Sequence, residues 1–99
     1  MKMEKRDLTV KPILEKSMNP IRILFFATLR DRAGKKMMEM EISPEMTIRE
    51  LKVKLTQDHP NLTESMKSVL ITINREYAMD DSIVPAGAEI AMFPPVSGG

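Results

Sequence analysis

The chain has 99 residues, 15 of them basic and 14 acidic, for a net charge of +1; that length sets one domain as the expectation, and the charge balance leaves no electrostatic footprint for nucleic acid or an anionic membrane surface. It contains no cysteine, which excludes disulfide frameworks, zinc–thiolate sites and cysteine nucleophiles. No apolar run approaches the ~20 residues of a membrane span, and the N-terminus is too charged for a secretory signal, so a soluble cytoplasmic protein is expected.

Residues 1–20 are polar and charged, with prolines at Pro12 and Pro20 and no sustained period. They read as a flexible or loosely docked N-terminal extension, and Met18 is an alternative natural start. From Ile21 the chain alternates. Ile21, Ile23, Phe25 and Ala27 fall on one face and Arg22, Leu24, Phe26 and Thr28 on the other, which predicts a strand. RDRAGKK is expected to be a turn with Gly34 at positive φ. MMEMEIS follows as a second strand, with Met38, Met40 and Ile42 against Met37, Glu39 and Glu41. A short antiparallel hairpin is the simplest pairing of the two.

Thr47 and Glu50 form a T-x-x-E capping box, with Met46 and Leu51 placed as a hydrophobic staple. Ile48, Leu51 and Leu55 then recur on one helical face, and Pro60 stops the helix near His59. Residues 61–68 read as a polar connection with room for one helical turn. SVLITIN is a third strand, with Val69, Ile71 and Ile73 against Leu70, Thr72 and Asn74. NREYAMDD reads as a turn and a brief edge segment. A turn at Pro85-Ala86-Gly87 leads into a last strand near Glu89–Phe93, where Ile90 and Met92 share one face and Ala91 and Phe93 the other. Ten methionines and no tryptophan read as a composition bias in which Met serves as adaptable core filler.

The order β-β-α-β-(β)-β, one main helix across a small mixed sheet, is an α+β chain of the β-grasp, or ubiquitin-like, architecture. In that fold the first and last strands are parallel neighbours and the C-terminal tail projects from the sheet's end. The domain then spans 21–99. Ile21, Ile23, Phe25, Ile71, Ile73, Ile90 and Met92 are assigned to the helix-facing side. The opposite face carries Leu24, Phe26, Leu70 and Phe93, with Arg22 and Arg30 near its rim. Large apolar residues on a solvated face point to a partner interface; the alternative is that the N-terminal extension folds back over them.

No hydrolase-like constellation, metal-ligand cluster or glycine-rich phosphate loop occurs. The single histidine, His59, sits at a helix end, and Glu39 with Glu41 and Asp80 with Asp81 read as solvated charges. What remains is the tail, 94–99. Pro94 and Pro95 fix φ near −65° and hold the segment extended, away from the fold. Val96, Ser97, Gly98 and Gly99 then reach ~13 Å at ~3.3 Å per residue. Without Cβ atoms, Gly98 and Gly99 can enter a narrow channel and present the carboxylate of Gly99 uncovered. Such a carboxylate can be activated with ATP by another enzyme and captured by a sulfur donor or an amine.

RILFFATLRDRAG, TIRELKVKL, INREYA and above all PAGAEIAMFPPVSGG make the chain, from Ile21 to Gly99, resemble the family of small, sulfur-carrying subunits of molybdopterin synthase. The N-terminal extension departs from that family. The resemblance implies that Gly99 is adenylated by an E1-like adenylyltransferase, which uses ATP, and becomes a thiocarboxylate. The tail then enters the large synthase subunit, in a heterotetramer, and gives sulfur to cyclic pyranopterin monophosphate. The carrier itself is then no enzyme, binds no cofactor or metal, and leaves the catalytic residues to the large subunit. Phe26, Arg30 and Phe93 match family positions that face the partner. Two alternatives stay open: a ubiquitin-like modifier joined through Gly99 to protein lysines, and a sulfur carrier for thiamine or tRNA thiolation. A β-grasp binding module with an incidental Gly-Gly is the remaining one.

Overall fold

The computed structural model describes residues 18–95. In chain order they form β1 (Asn19–Phe25), α1 (Thr28–Ala33), β2 (Met37–Ile42), α2 (Ile48–Asp58), a 3₁₀ turn (Pro60–Leu62), α3 (Thr63–Met66), β3 (Leu70–Ile73), β4 (Glu76–Tyr77) and β5 (Glu89–Phe93). The sheet order is β2-β1-β5-β3-β4. β1 runs parallel to β5 and antiparallel to β2, while β3 is antiparallel to both β5 and β4. This is the mixed β-grasp sheet expected from the element order. β1 opens at Asn19, which pairs with Ile42, two residues before the alternation becomes visible at Ile21.

Alternation decides which face of the sheet meets the helices. Ile21, Ile23 and Phe25 of β1, Ile71 of β3, and Ile90 and Met92 of β5 are buried against Ile48, Leu51 and Leu55 of α2. Burying each such side chain contributes about 1.5–3 kcal/mol. Ile73, assigned to the same face, is only half-buried at its margin, because the edge strand beyond it is two residues long. The α2 start is as read: the Thr47 side chain accepts from the Glu50 N–H and the Glu50 carboxylate accepts from the Thr47 N–H at 2.9 Å. Both orphan amides are thereby satisfied. The helix ends at His59, before Pro60.

Two segments depart from the expectation. RDRAGKK is not a simple turn, because Thr28–Ala33 is helical and Leu29 is buried by it. Gly34 closes this helix at φ 78°, its N–H donating to the Arg30 carbonyl at 2.9 Å. That is the left-handed C-terminal cap glycine adopts readily. β1 and β2 still pair antiparallel, but across a helical connection. Residues 61–68 are likewise more than a polar link: Leu62 and Met66 are core residues that close one end of the space under α2.

Candidate partner interface

Strand register builds the outer face row by row. Leu24 of β1 stands opposite Met37 of β2 and Ala91 of β5; Ala91 stands opposite Thr72 of β3, and Thr72 opposite Tyr77 of β4. One row therefore crosses all five strands. One step toward the C-terminal end of β5, Phe93 faces Leu70. Phe26, just past β1, donates its N–H to the Met92 carbonyl at 3.1 Å and so continues the parallel ladder. Its ring stacks on Phe93, with centroids 4.7 Å apart and planes 9° from parallel. Phe26 remains 41% exposed and Met37 43% exposed. The opposite end of the face is charged: Arg22 stands between Glu39 and Glu89, and Arg75 lies 3.9 Å from Glu89.

Leu24, Phe26, Leu70 and Phe93 thus share one face, with the apolar side chains gathered at the end where β5 leads into Pro94 and Pro95. Their juxtaposition follows from the parallel β1–β5 pair, since both strands end on that side. Ala27, at φ 53°, turns the chain away immediately after Phe26, and the burial of Leu29 anchors α1 there. Arg30 is exposed on α1, as is Arg32. Among the described residues no ion pair occupies Arg22, Arg30 or Arg32. The exposed Met37 was not counted in the patch from sequence, nor was Tyr77. Both lie on strands whose register the sequence does not reveal.

The root of the tail is seated rather than free. Pro94 is half-buried, and with Pro95 it lines a cleft shared with Thr28, Leu29 and Arg32 of α1 and with Glu64, Ser65 and Ser68. This corrects the expectation that both prolines stand away from the fold: α1, unread in the sequence, supplies a wall beside them. Val96, Ser97, Gly98 and Gly99 lie outside the described residues, as does most of the N-terminal extension. His59 is half-buried at the α2 terminus, its N–H on the Leu55 carbonyl. Asp80 and Asp81 lie beside basic residues of α2: Lys52 Nζ is 2.8 Å from Asp80 and an Arg49 guanidinium nitrogen is 2.9 Å from Asp81. The Lys52 hydrogen bond holds the Asp80 carboxyl below its ordinary range; desolvation opposes it, and weaker Coulombic attraction from Lys52 and Arg49 adds to the lowering. Among the described residues no three His, Cys, Asp or Glu side chains converge as a metal set, and no helix is long and apolar enough to cross a membrane.

The ThiS family model matches residues 23–99. The molybdopterin synthase sulfur carrier subunit of Chlamydomonas reinhardtii is 32% identical over 81 residues, covering 80% of this chain and 98% of that protein. The Arabidopsis thaliana protein of the same name is 32% identical over 79 residues, covering 80% and 82%. Among solved structures, SAMP1 from Haloferax volcanii superposes with a TM-score of 0.70 at 27% identity, covering 81% of this chain and 99% of that one. The Helicobacter pylori complex of subunits 1 and 2 of molybdopterin-converting factor matches in fold, with a TM-score of 0.60 at 21% identity and coverage of 81% and 99%. With its mixed sheet, its cross-packed helix and these relatives along most of its length, the chain belongs to the ThiS family of ubiquitin-like β-grasp proteins, in the family of molybdopterin synthase sulfur carrier subunits.

Proposed function

We propose that the chain carries sulfur on Gly99 for the dithiolene of molybdopterin. The observation that carries this reading is the pairing of family membership with geometry. Relatives named as sulfur carriers align along nearly their whole length, and the stacked Phe26–Phe93 platform stands where β5 passes into the Pro-Pro-Val-Ser-Gly-Gly ending. In the proposed sequence the Gly99 carboxylate attacks the α-phosphate of ATP in an E1-like adenylyltransferase, and pyrophosphate leaves. A sulfur donor then displaces AMP to give the thiocarboxylate. Its sulfur, softer and more nucleophilic than a carboxylate oxygen, attacks a side-chain carbon of cyclic pyranopterin monophosphate in the large subunit and displaces an oxygen substituent. Water then cleaves the Gly99 acyl–sulfur bond, leaving the sulfur on the pterin and the carboxylate on Gly99, with the large subunit's own side chains supplying the catalysis. Leu24, Phe26, Leu70 and Phe93, with Arg30 at the rim, form the docking face for that subunit. The family resemblance supports this partner, and so does the H. pylori fold neighbour, whose structure is a complex of two such subunits.

The test is a chain with one residue added after Gly99. Sulfur transfer to the pterin precursor is expected to vanish while the melting temperature stays unchanged. Undiminished transfer from the blocked tail would refute the proposal. Likeness to SAMP1, of the small archaeal modifier proteins, favours a second use of the same activated carboxyl, an amide bond to protein lysines. A Gly-Gly remnant on lysines of host proteins, traceable to this chain, would establish it.

A further inference from the structure

We propose that two copies of this chain pair edge to edge through β2, antiparallel, about a two-fold axis at Met38. β2 is an outermost strand of six residues, whereas β4, on the other edge, has two. Among the described residues no strand covers the β2 edge, and such an edge is a template for pairing with another chain. Phe25 N–H donates to the Lys36 carbonyl at 2.8 Å, so the β1–β2 ladder runs on from Leu24–Met37 to Phe25–Lys36. Hydrogen-bonded pairs alternate along an antiparallel ladder. The N–H and C=O groups of Met38, Met40 and Ile42 therefore point at β1, and those of Met37, Glu39 and Glu41 point outward. Pro20, opposite Glu41, agrees with this assignment, since it has no N–H to give.

The occupant is chosen by charge and register. Lys35 and Lys36 precede the strand and Glu39 and Glu41 lie within it, all four exposed, and among the described residues none has an ion-pair partner. The edge is thus basic at its start and acidic toward its end, and an antiparallel second copy matches the two. A two-fold pairing must set outward-pointing residues opposite one another, so only alternate registers are available. Centred on Glu39, the pairing opposes Glu39 to Glu39; centred on Met40, it opposes Glu39 to Glu41 twice. Like charges directly opposite are destabilising. Centred on Met37, it carries Glu41 past the strand to Ala33, which is helical in α1 of the second copy. Centred on Met38, it sets Lys35 opposite Glu41 twice and Met37 opposite Glu39 twice. On the core side Met38 then meets Met38, and Met40 meets the Lys36 stem, so both half-buried methionines gain cover. The result is one continuous sheet of both copies' five strands, with the two outer faces on the same side and the two tails leaving from opposite ends.

An edge-to-edge contact is small and belongs to the weak, transient class, so the test spans protein concentration. Sedimentation velocity of the full chain from about 10 μM to about 1 mM is expected to show monomer passing into dimer. Over the same range the amides of Met37 and Glu39 are expected to gain about tenfold or more in protection from hydrogen exchange, while those of Met38 and Met40, which point at β1, stay as they are. Lys35→Glu and Glu41→Lys, at exposed positions, are each expected to weaken association about tenfold or more, because each brings like charges together twice. An equimolar mixture of the two variants is expected to restore the dimer, since each copy then carries the charges the other needs. A chain monomeric throughout the range would overturn the proposal. Protection of Met37 and Glu39 that ignores concentration would assign the edge to a partner within the same chain and overturn it too. A dimer that both charge reversals leave intact, or a mixture that associates no better than its components, would overturn the register and the proposal with it.

Discussion

Replacing the two stacked rings separately and together measures whether Phe26 and Phe93 act as one platform. Phe93 is half-buried opposite Leu70. Full burial of a phenylalanine contributes about 1.5–3 kcal/mol, so the covered half of the ring is worth about 1 kcal/mol. The parallel stack at 4.7 Å adds about 0.5–1.5 kcal/mol beyond area. Phe93→Ala is therefore expected to lower unfolding free energy by about 1.5–2.5 kcal/mol in urea titration. Phe26→Ala, at a residue 41% exposed, should cost about as much. The double variant should fall short of the summed losses by the stacking contribution, about 0.5–1.5 kcal/mol. On the proposed docking face each single change should also weaken large-subunit binding by about 2 kcal/mol, roughly thirtyfold in Kd, read by calorimetry. Additive stability losses within about 0.3 kcal/mol would refute the coupling, and an unchanged Kd in both variants would refute the platform as interface.

Thr47→Ala removes the side chain that accepts from Glu50 N–H and should cost about 0.5–2 kcal/mol in the same titration, with Thr47→Ser retaining most of it. Leu62→Ala, at a fully buried position of the 3₁₀ turn, should cost about 2–5 kcal/mol; a loss under about 1 kcal/mol would show that the turn is not part of the core. Asp80 has a folded-state pKa below its ordinary 3.8, so the charged form is favoured by folding. Its contribution is complete above that ordinary value and is lost as pH falls through the folded value. Asp80 is 47% and Lys52 21% exposed in their side chains, so Asp80→Asn should cost under about 1 kcal/mol near neutrality. That difference should shrink as pH falls below the ordinary carboxylate value and vanish once Asp80 is protonated in the folded state; a difference growing on acidification would contradict the assignment.

Where local chemistry is complete within a few residues, the sequence was legible. The Thr47/Glu50 box, the stop at Pro60, the positive φ of Gly34 and the turn at Pro85-Ala86-Gly87 needed no tertiary information. Period-2 alternation likewise sorted Ile21, Ile23 and Phe25 from Arg22 and Leu24. The α1 helix was not legible, because six residues make under two turns and only Leu29 is buried. Leu62 and Met66 were missed for a related reason: two apolar residues in a polar link carry no period, and only the volume left under α2 turns them inward. Met37 and Tyr77 joined the outer row through register alone. The parallel β1–β5 pairing came from knowledge of the fold, not from any residue in either strand. On the candidate site, the apolar face was readable from alternation. The seating of Pro94 was not, because it depends on α1.

Intact mass of the chain purified from its own cells, before and after alkylation, addresses sulfur carriage most directly. The account predicts a species heavier than the plain chain by the difference between a sulfur and an oxygen atom, with the alkyl group trapped at Gly99. A chain that carries only an unmodified carboxylate, from cells actively making molybdopterin and in the presence of its activating enzyme, would contradict it.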